Sequence, residues 1–203
     1  MFNLVRVGQY SMRYVLGIDH GFQGCLCLFD RDTDAILLSP IPVRDGQQTS
    51  RCLHLEEDTG GTDYDMVKLA ELLGFAAEHA DWDIVAVMEE TQLQHRQGFS
   101  NIKSMASLFR SRGMLESLCA VLGISLYSMH PTSWKTKIGL IDRSKGKAKS
   151  KDEVKKAALA LAHSLRPGEE FYSADAAESY LIAKVFSEHY AHTVPKKLTP
   201  IVK

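Results

Sequence analysis

Short apolar runs separated by turn residues fill the first third of the chain. Tyr14-Val-Leu-Gly-Ile-Asp19 is a compact run ending on a carboxylate, the pattern of a buried strand. Gly21 and Gly24 mark a turn, and Cys25-Leu-Cys-Leu-Phe29 makes a second strand, closed by Asp30-Arg-Asp-Thr-Asp34. Ala35 to Val43 makes a third, interrupted late by Pro40 and Pro42. Two hairpin connections in series predict an antiparallel meander. From Arg44 to Thr62 the chain is polar and Gly-rich and carries no assignable element.

Helical spacing then takes over. Met66, Leu69, Ala70, Leu73 and Ala77 share one face of a helix that Asp63 or Asp65 caps. Asp83-Ile-Val-Ala-Val-Met88 is a further strand, running into Glu89-Glu90, and Thr91 to Gly98 is a polar loop. A long helix runs from Ser100 to Leu122, with Gly123 as its stop. Ile124 to Met129 is the next strand, broken by His130-Pro131 and followed by a basic loop. Ser150-Lys-Asp-Glu153 is a capping box opening another helix, which Pro167-Gly168 ends. Ser173 starts the final helix, with Ala177, Leu181, Ile182 and Val185 on one face. The order β-β-β-α-β-α-β-α-α predicts an α/β fold, a mixed sheet with helices packed on its faces.

A chain of 203 residues with 45% hydrophobic content can fill one core of ordinary size. The expected organisation is an extension over 1–12 (Met12 could serve as an alternative start), one domain over 13–191, and a basic tail over 192–203. Cys25, Cys27, Cys52 and Cys119 form no CxxC pair and no zinc-type spacing, so they read as reduced thiols. No stretch has the length of a membrane span and no signal-peptide core is present. A soluble protein of the cytoplasm, in a bacterial or phage-infected cell, is the expectation.

Asp19 ends an apolar strand, where a carboxylate is costly unless solvated, paired or bound to a cation. Alone it reads equally well as a turn former. Glu89 ends the second strong apolar run; if those two strands lie side by side and parallel, both acids emerge at one sheet edge. Glu90 competes with Glu89, but alternation lets only one point inward. Asp175 and Glu178, spaced i and i+3, share a helix face. Each suits a helix N-terminus for dipole reasons alone, yet Glu178 sits among Ala177, Leu181 and Ile182, which should pack on the sheet. Four carboxylates from two strands and a helix could hold a pair of hard divalent ions roughly 3.5–4 Å apart.

The formal net charge of −1 favours no partner, but local charge does. From Lys135 to Lys156 there are nine Lys/Arg against three Asp/Glu. Lys135, Lys137, Arg143, Lys145, Lys147, Lys149 and Lys151 could neutralise phosphates by counterion release, or simply form a solvated loop. Trp134 within this stretch reads as a packing anchor.

Val15-Leu-Gly-Ile-Asp-His-Gly21, Val87-Met-Glu89 and Ala174-Asp-Ala-Ala-Glu-Ser179 resemble, in order, the acidic motifs of RuvC-type Holliday junction resolvases. Trp134-Lys-Thr-Lys-Ile-Gly139 with Lys151-Asp-Glu-Val154 resembles that family's basic substrate-binding stretch, and Phe109-Arg-Ser-Arg-Gly113 its dimer-interface helix. The similarity runs from about Tyr14 to His189. It implies a ribonuclease H-like mixed five-stranded sheet, a three-strand antiparallel meander plus two parallel strands, with helices on both faces. It further implies a homodimer through the 100–122 helix acting on four-way DNA junctions. By matched position Asp19, Glu89, Asp175 and Glu178 would ligate two Mg²⁺ ions (Mn²⁺ as a substitute), Lys135 would join them in catalysis, and Lys135 and Lys151 would lie near the scissile phosphate. Phe99 would be a wedge that splays bases at the branch point.

The chain departs from that pattern in places. His20 replaces a common Pro, Glu178 stands where many members have Asp, and the 44–62 insertion has no familiar counterpart. Such divergence suits a phage or specialised branch. Competing readings are a looser nuclease for flaps, forks or replication intermediates, a catalytically silent binder of branched DNA, and an actin-like or sugar-kinase ATPase suggested by Gly-Ile-Asp-His-Gly. The last lacks a second phosphate-binding glycine loop.

Overall fold

The computed structural model describes residues 12–21, 23–44, 63–91, 100–142, 150–190 and 200–202. Strands β1 (Tyr14–Asp19), β2 (Cys25–Asp30) and β3 (Ile36–Pro40) form the antiparallel meander. Strands β4 (Val43–Arg44) and β5 (Asp63–Tyr64) pair as a separate two-stranded ribbon at the ends of the polar insertion, of which residues 45–62 lie outside the described residues. Helix α1 (Met66–His79) follows, with Asp65 rather than Asp63 as its cap, accepting from the Lys68 amide. Strand β6 (Ile84–Glu89) then runs parallel to β1, pairing Ile18 with Met88. Helix α2 (Ser100–Val121) leads to β7 (Ser125–Met129), parallel to β6. Helices α3 (Pro131–Lys137), α4 (Lys151–Leu165) and α5 (Ala174–His189) complete the helical part.

The sheet order is β3-β2-β1-β6-β7, the five strands expected, extended at the β7 edge by a short antiparallel strand β8 (Pro200–Val202). The sequence reading gave the tail no strand, because three residues carry no periodicity of their own.

Alternation along the buried strands sorts side chains between two cores. Leu16, Ile18, Ala86 and Met88 face one side, with Leu69 and Leu73 of α1 and Leu115 and Cys119 of α2. Val15, Val85 and Val87 face the other, with Ala158 and Ala162 of α4 and Tyr180, Leu181 and Val185 of α5. Helices therefore cover both faces, and among the described residues no helix is long and apolar enough to cross a membrane.

The third strand, expected over Ala35 to Val43, ends at Pro40, and Val43 pairs in the separate ribbon instead. A helix also departs from the sequence reading. Residues 131–137, expected as the start of a basic loop, form helix α3. Pro131 breaks the strand but suits a first helical position, where its missing N–H goes unneeded. His130 caps it, its ring nitrogen accepting from the Thr132 amide at 3.2 Å. The capping box on α4 forms as expected, with Ser150 and Glu153 reciprocally bonded.

Candidate metal centre

Parallel pairing of β1 and β6 brings Asp19 and Glu89 to the same sheet edge, at the C-terminal ends of neighbouring strands. Helix α5 crosses beneath β1 at very short range. A Cβ at Gly17 would stand 2.1 Å from the Ser179 carbonyl oxygen and 2.9 Å from Ala183 Cβ. Only glycine permits this approach, which delivers the first turns of α5 to the end of β1. Ser173 caps α5 by accepting from the Ala176 amide at 3.0 Å. Asp175 and Glu178 project from those turns, and Asp19, Asp175 and Glu178 each bring a carboxylate oxygen within 4.8 Å of the others.

Glu89 joins this cluster through Lys135, whose Nζ lies 3.0 Å from Glu89 Oε2 and 3.3 Å from Glu178 Oε1. Trp134, fully buried, donates its indole N–H to the same Glu89 oxygen at 3.0 Å. Glu90 is exposed, as alternation requires. On the far side Lys155 of α4 donates to Asp175 Oδ1 at 2.5 Å. The buried His20 ring bonds Thr91 Oγ1 through Nε2 at 2.6 Å, tying the end of β1 to the segment just after Glu89.

Electrostatics at this edge are strongly perturbed. Burial first, then the carboxylates of Glu178, Asp175 and Glu89, push the Asp19 carboxyl well above its ordinary value. Burial also raises Glu178, against the opposing pull of Lys135. Burial works against the charge on Lys135, but Glu89 and Glu178 outweigh it and keep the ammonium charged. Burial lowers His20. Two lysines thus face four carboxylates, leaving excess negative charge in a partly buried place. The donors are all carboxylate oxygens, with no thiolate among them, a set suited to hard divalent cations such as Mg²⁺ or Mn²⁺. In chemical terms the cluster fits such an ion.

The remaining expected residues are scattered. Lys137 is exposed, its Nζ 5.3 Å from the centroid of the Tyr190 ring, and Lys151 is exposed at the start of α4. Phe99, Arg143, Lys145, Lys147 and Lys149 lie outside the described residues, as does Cys52. Cys25, Cys27 and Cys119 are buried free thiols, and burial pushes Cys119 up to about 12.

Sequence reasoning missed three contacts. Lys155 carried a signal: with Ala158 and Ala162 it follows the spacing of α4's sheet-facing stripe, where a lysine needs an acidic partner. Trp134 on Glu89 depended on α3 being a helix. The bond between His20 and Thr91 has no local signature.

No family model matches the chain, and no curated protein matches its sequence. Solved structures do match. RuvC of Thermus thermophilus in complex with a Holliday junction substrate is 18% identical over 93% of this chain and 99% of that one, with a TM-score of 0.55. A second Thermus thermophilus RuvC structure is 15% identical, covering 92% and 99%, with a TM-score of 0.47. The yeast mitochondrial Holliday junction resolvase Ydc2 is 18% identical, covering 89% and 80%, with a TM-score of 0.44. The first of these establishes the fold: the chain has the ribonuclease H-like mixed sheet of RuvC.

Proposed function

We propose that the chain is a metal-dependent endonuclease that resolves four-way DNA junctions, with Asp19, Glu89, Asp175 and Glu178 holding the metal ions. The observation that carries this reading is the convergence of those four acids and Lys135 on one edge of a ribonuclease H-like sheet. No fold requirement explains so much like charge in one place, since each carboxylate resists burial beside the others. The likeness to a RuvC bound to a junction supports the choice of substrate.

Divalent ions bound there would supply Lewis acidity and a lowered water pKa for phosphodiester hydrolysis. The chain's own residues set up the rest. Gly17 fixes the distance between β1 and α5, and with it the separation of Asp19 from Asp175 and Glu178. Trp134 and Lys135 both hold the same Glu89 oxygen, Oε2. Lys135, only 13% exposed, keeps a positive charge at the cluster where phosphate charge must be accommodated. Lys137 and Lys151 present exposed cations outside it, suited to DNA backbone.

The pairing of cuts expected at a four-way junction calls for a two-fold dimer, and a C₂ assembly matches the substrate's symmetry. Helix α2 is our candidate interface. It presents exposed Leu108 and Phe109 on neighbouring sectors of its surface, apolar side chains that a partner helix would cover.

The test is incubation of the full chain with a synthetic junction and Mg²⁺, alongside flap and fork substrates. Symmetric paired nicks that vanish with EDTA and in Asp19→Asn are expected. Equal or faster cutting of flaps and forks would replace this reading with the looser nuclease. Tight junction binding without any metal-dependent cutting would replace it with a silent binder.

A further inference from the structure

Along the acid-bearing edge Lys135 of α3 lies on one flank, at Glu89 of β6, and an aromatic residue lies on the other, at Cys25 of β2. Tyr172 stands three residues before Asp175. Its neighbours on both sides are fixed: Phe171 is buried, with its ring centroid 5.4 Å from those of both His163 and Tyr180, and Ser173 is the cap of α5. The Tyr172 hydroxyl lies 3.0 Å from Cys25 Sγ. That thiol also faces the carbonyl oxygens of Ser39 at 3.2 Å and Leu26 at 3.4 Å, which can only accept; with its proton on either, the hydroxyl is the donor to the sulfur. Cys25 is in turn the cross-strand partner of Asp19.

This arrangement inverts that of an ordinary surface tyrosine, which buries its ring and gives its hydroxyl to water. Here the polar tip is pinned to a buried thiol, and the residue is 53% exposed beside the acids. Exposed aromatics alone are common. A half-exposed tyrosine that is held at both ends of its local chain and tethered at its tip has little rotamer freedom left to lose on contact. That is the property of a stacking platform, which accepts any base because every base has a π-face.

We propose that Tyr172 stacks on the nucleotide next to the scissile phosphate, positioning the substrate strand on the side of the acids opposite Lys135. The proposal rests on the nuclease reading and goes beyond it by assigning a nucleotide contact. Tyr172 touches no metal-binding group; it acts by holding the substrate.

The experiment uses the full chain and a four-way junction carrying 2-aminopurine beside the cleaved phosphate, with binding followed in an Asp19→Asn background and cleavage in the native one. Stacking quenches the probe. Tyr172→Phe keeps the π-face but loses the tether, so it should keep the quenching and raise KM about threefold, whereas Tyr172→Ala should lose the quenching and raise KM about tenfold, with kcat and Tm little changed. Unchanged quenching and KM in Tyr172→Ala overturn the proposal, and so does a Phe variant that behaves like Ala. A native chain that cuts the junction while Tyr172→Ala matches it sinks this inference alone. A native chain that neither binds nor cuts the junction sinks the nuclease reading with it.

Discussion

Trp134 Nε1 and Lys135 Nζ converge on a single oxygen of Glu89, each at 3.0 Å. Consecutive residues of one short helix thus orient the acid, and the ammonium sits 4.9 Å from the centroid of the Trp134 ring. Glu89 is half-buried, and its fixed oxygen is held by one neutral and one charged donor. Trp134→Phe keeps a large buried aromatic and deletes the neutral donor. It should lower kcat on a junction about tenfold, or roughly 1.4 kcal/mol, and lower Tm by a few degrees. Lys135→Met removes the charge that Glu89 and Glu178 share and should cost about a hundredfold. Comparable kcat values for Trp134→Phe and the native chain would mean that Glu89 needs no such orientation.

Asp19 should make the protein less stable in exchange for its role. Its folded carboxyl titrates well above the ordinary value of 3.8, chiefly through burial and then Glu178, Asp175 and Glu89. A group raised in this way contributes stability that is complete below the unfolded value and is lost as pH rises through the folded one. In EDTA, Asp19→Asn should therefore melt above the native chain at neutral pH, and the gap should close as the pH falls toward 4. For a chain of this size each kcal/mol is worth about 2–4 °C. The same variant should have no nuclease activity. A pH-independent gap, or a lower Tm at neutral pH, would contradict the electrostatic account.

How legible the site was depended on the kind of signal each residue leaves. Asp19 and Glu89 end apolar runs, but alternation admits only one of Glu89 and Glu90 inward without saying which. The shared edge of Asp19 and Glu89 followed only if the two strands lay parallel and adjacent, a pairing the structure supplies. Asp175 and Glu178 are one helical turn apart, and their common face follows from the period. Helix α3 did not follow, because Pro131 marks both the end of a strand and the start of a helix, and seven residues show too little periodicity to decide. The contact of Trp134 with Glu89 was hidden with it, whereas Lys135 was expected at the site only through the family resemblance. Gly17 was visible as a glycine within a strand, but its reason, the crossing of α5, is a tertiary fact.

Lys155 should oppose metal binding. Its Nζ lies 2.5 Å from Asp175 Oδ1, and Asp175, Asp19 and Glu178 together outweigh burial to keep it charged. A divalent ion held by Asp19, Asp175 and Glu178 must displace or share that contact. Lys155→Met removes a positive charge from the cluster and should tighten Mn²⁺ binding about tenfold, on the order of 1.4 kcal/mol, by calorimetry. It should also lower Tm in EDTA, where the lysine is the partner of Asp175. Weaker Mn²⁺ binding in this variant would instead identify Lys155 as a residue that holds Asp175 in place for the metal.

Gly17 offers a test that separates geometry from charge, since it carries no functional group. It lies two residues before Asp19, in the strand position that meets α5. An added methyl would overlap the Ser179 carbonyl oxygen, a backbone atom that cannot rotate away, and would crowd Ala183. Either β1 or α5 must shift. Overpacking of this kind costs about 1–3 kcal/mol and occasionally more, so Gly17→Ala should lower Tm by several degrees. The movement also separates Asp19 from Asp175 and Glu178, because those acids are carried by the two elements forced apart. Mn²⁺ affinity should fall with it, by more than Tm loss alone explains at a temperature where the variant is fully folded. Ala183→Gly, which opens space on the facing helix, should recover little of either effect, since the closest clash is with backbone. A Gly17→Ala protein that is destabilised but binds Mn²⁺ normally would show that the acid cluster does not depend on this close approach.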